Sequence, residues 1–245
     1  MRIHIVNPNT TTTMTQGIAA AAKVAAPPGV EIVASEPEFG PASIEGYYDG
    51  ALAVPGLLAR VVEAEAAGAD AHVIACFDDT GLDAARSAVA SPVIGIGEAA
   101  YHAASMVGVR FSVVTTLSRS IPVIQDNLTR YGLAQRCARV RASDIPVLAL
   151  EKDAGAAEAR IGAEIERALA DDNADCIVLG CAGMADLAER FSKRFQVPVI
   201  DGVAAGVAFA VALATLRLKT SKAGGYAFPA SKIYSGIFSR FAPKR

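Results

Sequence analysis

"HVIACFDDTGLDAAR", residues 72–86, is an apolar run that ends near Cys76, passes through a polar turn and enters a helix-like stretch. About a hundred residues on, "CIVLGCAGMADLAER", residues 176–190, repeats the plan: apolar run, Cys181, a glycine-containing turn, then a helix. A short continuous apolar run bounded by turn residues fits a strand buried on both faces, as in a parallel sheet, and strand followed by helix is the unit of an α/β fold. The chain thus sets a cysteine twice at the seam where a strand hands over to a helix.

The repetition extends outward from both stretches. "GADAHVIAC" aligns with "NADCIVLGC" at an offset of 105 residues, "IVNPNT" with "VVTTLS" at 108, and "SPVIGIGEAA" with "VPVIDGVAA" at 106. A repeat of this length is a domain rather than a solenoid unit. Between these anchors strands and helices alternate, with strands expected at "IHIV", "VEIVAS", "DAHVIAC", "PVIGI", "RFSVVTT", "ARVRAS", "DCIVLGC" and "VPVIDG". Helices are expected over 13–25, over 51–68 with Pro55 marking a first turn or a break, and over 121–131 and 156–170, with a long apolar helix from Val203 to Leu216. The expected architecture is α/β: two similar lobes, each a mostly parallel sheet flanked by helices, with the active site between them. One lobe comprises residues 1–98 plus 207–245 and the other 99–206.

Composition narrows the ligand. Lys plus Arg is 23 against 25 for Asp plus Glu, a net charge of −2 with no block of like charges, so neither nucleic acid nor an anionic membrane is an expected partner. The start "MRIHIVNPNT" does not read as a signal peptide, and the apolar run at 203–216 is too short to span a bilayer, so a cytoplasmic protein with a small-molecule ligand is expected. Cys76, Cys137, Cys176 and Cys181 form no Cys-x-x-Cys pair, and His4, His72 and His102 lack ligand spacing, so no metal site is expected. "GIGEAA" after the fourth strand is not a dinucleotide fingerprint, and no cofactor is expected. Cys137 and Cys176 read as core residues. The tail "TSKAGGYAFPASKIYSGIFSRFAPKR" carries five aromatics between basic residues and is expected to pack on a lobe or on a second copy, which makes a homo-oligomer plausible.

Ligands of parallel α/β sheets bind beyond the carboxyl ends of the strands, where Cys76 and Cys181 both fall. Two facing lobes would bring the thiols to opposite sides of one ligand atom. Racemisation needs that arrangement: one group removes a proton from a stereocentre while the other returns one to the opposite face. The turns after the two cysteines, including Ala182 and Gly183, can offer backbone N–H groups to a developing oxyanion, and a helix N-terminus would lower a thiol's pKa. Asn9, Thr115 and Thr116 are candidate ligand contacts or helix caps. Asp78 and Asp79 could hold a ligand N–H, with Asp79 favoured as a cap for the helix that follows it. The loop "FGPASIEGYYDG", residues 39–50, has glycines at both ends and could close as a lid. A two-lobed binding protein remains the non-enzymatic alternative.

Two lobes with cysteines at matching strand ends resemble the aspartate/glutamate racemase superfamily. Within it, "IVNPNT", "GPASIEG", "CFDDTGL", "VVTTL" and "LGCAGM" look like the hydantoin and allantoin racemase branch, over essentially the whole chain. The resemblance implies Cys76 and Cys181 as the acid–base pair, a substrate site that includes Ser43, Ile44 and Phe77 besides the residues above, and a C-terminal end that returns to the first lobe. Amino-acid racemases of the superfamily carry "CNT" and "CTH" at the two thiols, where this chain has Cys76-Phe77-Asp78 and Cys181-Ala182-Gly183. The missing charged helper fits a more acidic carbon, such as C5 of a hydantoin, whose enolate is spread over the ring imide. Phe77 and the small residues near Cys181 favour an apolar substituent, hence 5-monosubstituted hydantoins, with allantoin or an amino acid as alternatives. Arylmalonate decarboxylases share the plan without the first cysteine, so the presence of both thiols counts against that activity.

Overall fold

A computed structural model describes residues 1–150 and 153–243 of the 245-residue chain. Its frame is two parallel four-stranded sheets. In the first, β1 (Arg2–Val6), β2 (Glu31–Ser35), β3 (Ala71–Ile74) and β4 (Val93–Gly95) pair in the order β2-β1-β3-β4. In the second, β5 (Phe111–Thr115), β6 (Cys137–Ala142), β7 (Cys176–Gly180) and β8 (Val199–Asp201) pair in the order β6-β5-β7-β8. The two orders are the same once four is added to each number. The offsets in the sequence are therefore a repeat of topology as well as of residues.

The helices are α1 (Thr12–Ala25), α2 (Tyr47–Ala66), α3 (Leu82–Ala88), α4 (Ile96–Val107), α5 (Ile121–Arg130), α6 (Ala154–Asp171), α7 (Ala188–Phe195) and α8 (Gly202–Thr215). Central strands β3 and β7 are buried along their whole length, which is why they read as unbroken apolar runs, while edge strand β2 is partly exposed. The expected helix over 51–68 starts four residues earlier, at Tyr47, and Pro55 lies well inside it instead of at its first turn. Tertiary packing overrides the local signal there. Ala53, Gly56, Leu57 and Val61 form one buried stripe that runs past the proline, and each large aliphatic side chain so buried contributes about 1.5–3 kcal/mol.

Helices α4 and α8 change sides. Helix α4, which follows the last strand of the first sheet, packs on β7 and β8 of the second, and α8, which follows the last strand of the second sheet, packs on β3 and β4 of the first. They also pack on each other. Helix α8 comes close enough to both neighbours that a Cβ at Gly206 would lie 2.9 Å from Val73 Cγ1 of β3 and 3.3 Å from Ile96 Cγ2 of α4. As a result one apolar cluster joins Ile5 and Val73 of the first lobe to Phe111 and Val178 of the second through Tyr101 and Val207. Helix α8 is buried on one face only, through Gly202, Val203, Gly206, Val207 and Ala210, with Ala208 and Ala212 exposed. Among the described residues no helix is long and apolar enough to cross a membrane.

Inside the first lobe the strands place His4 beside His72, their Nδ1 atoms 3.1 Å apart. The outer nitrogens reach Ser35 Oγ at 2.7 Å and the Glu65 carboxylate at 2.9 Å. Burial first, then the facing imidazole, hold His4 down at about 3. Burial works to raise Glu65, but hydrogen bonds from His72 and Ser91 outweigh it and bring the carboxyl down to about 2. Both shifts favour proton uptake by the unfolded chain in acid. The His4 contribution is complete above pH 6.5 and declines as pH falls toward 3, and the Glu65 contribution declines from 4.5 toward 2. In the urea-midpoint difference between the wild type and a His4→Gln variant, where the other titrating groups cancel, the wild type is accordingly expected to lose ground steadily from pH 7 to pH 4. A flat profile over that range would contradict a neutral buried His4.

Candidate active site

The carboxyl ends of β1, β3, β5 and β7 face one pocket. Asn7 to Asn9 follow β1, Ala75 to Asp78 follow β3, Thr115 and Thr116 close β5, and Gly180 to Ala182 close β7. Both Cys76 and Cys181 line this pocket, half-buried, one from each lobe. The strand ends can come this close because position 180 has no side chain: a Cβ on Gly180 would lie 2.8–2.9 Å from Thr115 Cβ and Cα.

The two thiols have matching surroundings. The backbone N–H of Asp78 points at Cys76 Sγ and that of Gly183 at Cys181 Sγ, each two residues beyond its cysteine. These amides, expected from the sequence to face an oxyanion, are directed at the sulfurs. Cys76 has one extra partner, the Thr80 hydroxyl at 3.4 Å. The expected lowering of thiol pKa by helix N-termini does not prevail. Burial, with the Asp78 charge adding to it, pushes Cys76 up to about 12 and Cys181 up to about 11, the amide contacts notwithstanding. Cys137 and Cys176 are also raised to about 12 by burial, so acidity does not single out a pair, whereas position does: neither of those two lines the pocket.

Of the residues expected at the site, the pocket gathers Asn9, Ile44, Phe77, Asp78, Thr115, Thr116 and Ala182 with the two thiols. Ser43, Asp79 and Gly183 stand outside its lining. Asp79 is buried and spent elsewhere: its carboxylate accepts from Gly97 N at 2.9 Å, Glu98 N at 2.8 Å and Tyr131 Oη at 2.8 Å. It caps α4, not the adjacent α3 that the sequence suggested, because the turn brings it against the next helix in space. Burial raises its carboxyl to about 7 against those three donors. Phe77 turns its ring into the core, edge-on to Tyr101 at 5.3 Å, and so adds little to the room for a substituent. Asn9 Oδ1 accepts from Thr11 N and Asn7 Nδ2, and Thr115 Oγ1 donates to Gly180 O at 2.9 Å, so these side chains shape the pocket wall through local bonds.

Asp78 is different. Its carboxyl lies at the pocket, burial pushes it up to about 7, and its charge acts on both thiols. Among the described residues no donor reaches its side-chain oxygens. Met14, Ser120 and Val147 also line the pocket without any signal in the sequence, since each is delivered by a neighbouring element.

The loop 39–50 spans the lobes. Thr10 N and Thr11 Oγ1 bind the carbonyls of Pro41 and Ala42, Ile44 lines the pocket, and Glu45 Oε1 accepts from Val147 N of the second lobe at 2.9 Å. Its last four residues are already the first turn of α2. The C-terminal tail braces the base of this loop. It runs along residues 83–91 through Thr220, Lys222 and Tyr226 and ends with Phe241 against Phe39, Arg240 lying 4.2 Å above the Phe39 ring.

With two thiols from matching sheet edges on the page, the comparison with known proteins is specific. The model of the Asp/Glu/Hydantoin racemase family matches residues 3–210. The chain belongs to this family. Curated relatives named hydantoin racemase, at 40–50% identity over nearly the whole chain, make it an isomerase of the racemase type. It is 50% identical over 236 residues to the hydantoin racemase of Rhizobium meliloti, a match that covers 96% of this chain and 98% of that one. The hydantoin racemase of Pseudomonas sp. (strain NS671) is 46% identical over 241 residues, covering 98% and 97%. In three dimensions the racemase chain matches the allantoin racemase from Klebsiella pneumoniae with a TM-score of 0.97 at 48% identity, over 100% of both chains.

Proposed function

We propose that this racemase interconverts the D and L forms of 5-monosubstituted hydantoins, with Cys76 and Cys181 as a two-base pair. The observation that carries the reading is the pair of thiols, one from each lobe, at equivalent strand ends of a single pocket. One thiolate takes the C5 proton from one face, and the electrons of the C–H bond move into the ring as an enolate on the adjacent carbonyl oxygen. The opposite thiol then gives its proton to the other face of C5. The sulfurs finish with their protonation states exchanged, and the reverse direction uses the same groups in swapped roles. The electron sink is the substrate's own carbonyl, so the reaction as proposed calls on no cofactor.

Asn9, Ile44, Asp78, Thr115, Thr116 and Ala182 would form the walls that hold the ring, with the unpartnered Asp78 carboxylate suited to accept a ring N–H. Ser43, Phe77, Asp79 and Gly183 would support these walls from behind. The same reading has a cytoplasmic homo-oligomer, consistent with Ile233 at 95% and Ile237 at 82% exposure on the tail.

The test is one pure enantiomer of 5-benzylhydantoin in D₂O, followed by optical rotation and by the C5 proton signal. Loss of both, well above the enzyme-free rate, is expected. Persistence of both, with allantoin racemised instead, would transfer the assignment to the allantoin branch, which the Klebsiella structure favours. The loop gives a second expected result. Glu45→Ala removes the bond from the loop to Val147 N, a charge-assisted contact worth about 1.5–3 kcal/mol, so KM should rise roughly tenfold or more with a smaller change in kcat. An unchanged KM would mean that the loop does not close over the substrate.

A further inference from the structure

The buried face of α5 carries one polar residue among apolar ones. Ile124, Asn127 and Leu128 turn inward together at helical spacing, and a buried amide in such a stripe costs stability unless it is hydrogen-bonded. Asn127 belongs to the second lobe, yet its Nδ2 donates across the lobe boundary to the Asp78 carbonyl at 2.9 Å, while its Oδ1 accepts from Arg130 Nη2 at 3.3 Å. The peptide between Asp78 and Asp79 is thereby held at both ends, since the Asp79 N–H donates to the Cys76 carbonyl at 3.0 Å. It needs holding: Asp79 sits at φ +51°, in the left-handed region that residues other than glycine seldom adopt. Tyr131, just beyond α5, adds a second grip through its hydroxyl on the Asp79 carboxylate.

Asp78 is the residue whose N–H points at the Cys76 sulfur and whose carboxyl lies at the pocket. We infer that Asn127 is a positioning residue for the Cys76 half of the reaction, a donor in one lobe that sets the turn around the thiol of the other. The inference rests on the two-thiol reading above and makes the two halves unequal. The turn after Cys181 closes in the same way, with Met184 N donating to the Cys181 carbonyl at 3.1 Å, and α1 packs on that turn as α5 meets the first one through Asn127. The repeat offsets of 105, 106 and 108 residues put the counterpart of Asn127 at Ala22, Ala21 or Ala19. An alanine has no side-chain donor, so the Cys181 turn stands without this clamp, and loss of Asn127 should be felt at one sulfur only.

Asn127→Leu keeps roughly the volume of the side chain and Asn127→Ala empties it; both delete the donor, so an effect common to the two belongs to the hydrogen bond and not to packing. The first readout is alkylation of each thiol by iodoacetamide at one fixed pH, without substrate, resolved by mass spectrometry of the peptides. Only the thiolate reacts, so losing a hydrogen bond to the charged sulfur should slow Cys76 about tenfold while Cys181 stays within about twofold of the wild type. The second readout is exchange of the C5 proton of 5-benzylhydantoin in D₂O. Asn127→Leu combined with Cys181→Ser, which leaves Cys76 as the pocket thiol, should cut exchange about tenfold, and combined with Cys76→Ser should leave it within about twofold. Equal shifts at both thiols would make Asn127 a general support of the fold, and an unchanged or faster Cys76 would make it dispensable; either overturns the inference. The alkylation rates decide the matter even where exchange by a single thiol is too slow to follow. Racemisation by Cys76→Ser and by Cys181→Ser alone reports separately on the two-thiol reading, and its failure would leave the alkylation result standing.

Discussion

Cys76→Ser and Cys181→Ser should each lose racemisation in both directions, by about 10³-fold or more, because every turnover needs both an acid and a base and a serine hydroxyl is too weak an acid to stand in for either. The expected residue of activity is informative. In D₂O, each variant keeps the thiol that can abstract from one face, so it should still exchange the C5 proton of one enantiomer without inverting it. The enantiomer that exchanges should differ between the two variants, which assigns each sulfur to a face. Loss of exchange for both enantiomers in both variants would point to a concerted requirement for the two thiols. Full racemisation by either variant would remove that cysteine from the mechanism and overturn the two-thiol reading.

The second large effect is on pH. With both thiols raised by burial, Cys76 to about 12 and Cys181 to about 11, the thiolate that starts the reaction is a minor species at neutral pH. Its fraction grows tenfold with each pH unit. From pH 7 to pH 9 kcat/KM, corrected for ionisation of the substrate ring, should therefore climb about 100-fold without reaching a plateau. Asp78 is the charge that acts on both sulfurs, so Asp78→Asn should move this limb to lower pH even as it weakens substrate binding. A plateau already present at pH 7–8 would show that a thiolate is stabilised before substrate arrives.

The parts of the site that could be read along the chain are those made by local order. Strand, cysteine, turn and helix occur as one run of residues, so both thiols and the sheet ends that carry them were legible, as was the doubling of the lobe. Contacts made across long separations were not. Glu45 meets Val147, 102 residues away, and Asp79 holds the start of a helix 18 residues on, although its own neighbours suggested a cap for α3. Pro55 misled in the same way, since a helix pressed against the sheet through Leu57 and Val61 tolerates a proline that an isolated one would not. Phe77 follows the thiol directly in the chain, but its ring direction depends on Tyr101, which arrives from α4.

The exchange of α4 and α8 between the sheets has a consequence for what could be cut away. A fragment ending at residue 107 would retain a complete first sheet and a terminal helix whose apolar face has nothing of its own to cover, while β3 and β4 would lie bare where α8 should be. Two such fragments could satisfy each other only by trading their last helices, and the trade would set the ends of two copies of β3 opposite one another, with a Cys76 from each. Such a pair would present two thiols to one pocket, related by symmetry. What the continuous chain adds is inequality: Thr80 stands beside one sulfur, whereas the residue at the matching offset from the other is Ala185, which has no hydroxyl, so that the two faces of a substrate need no longer be treated alike.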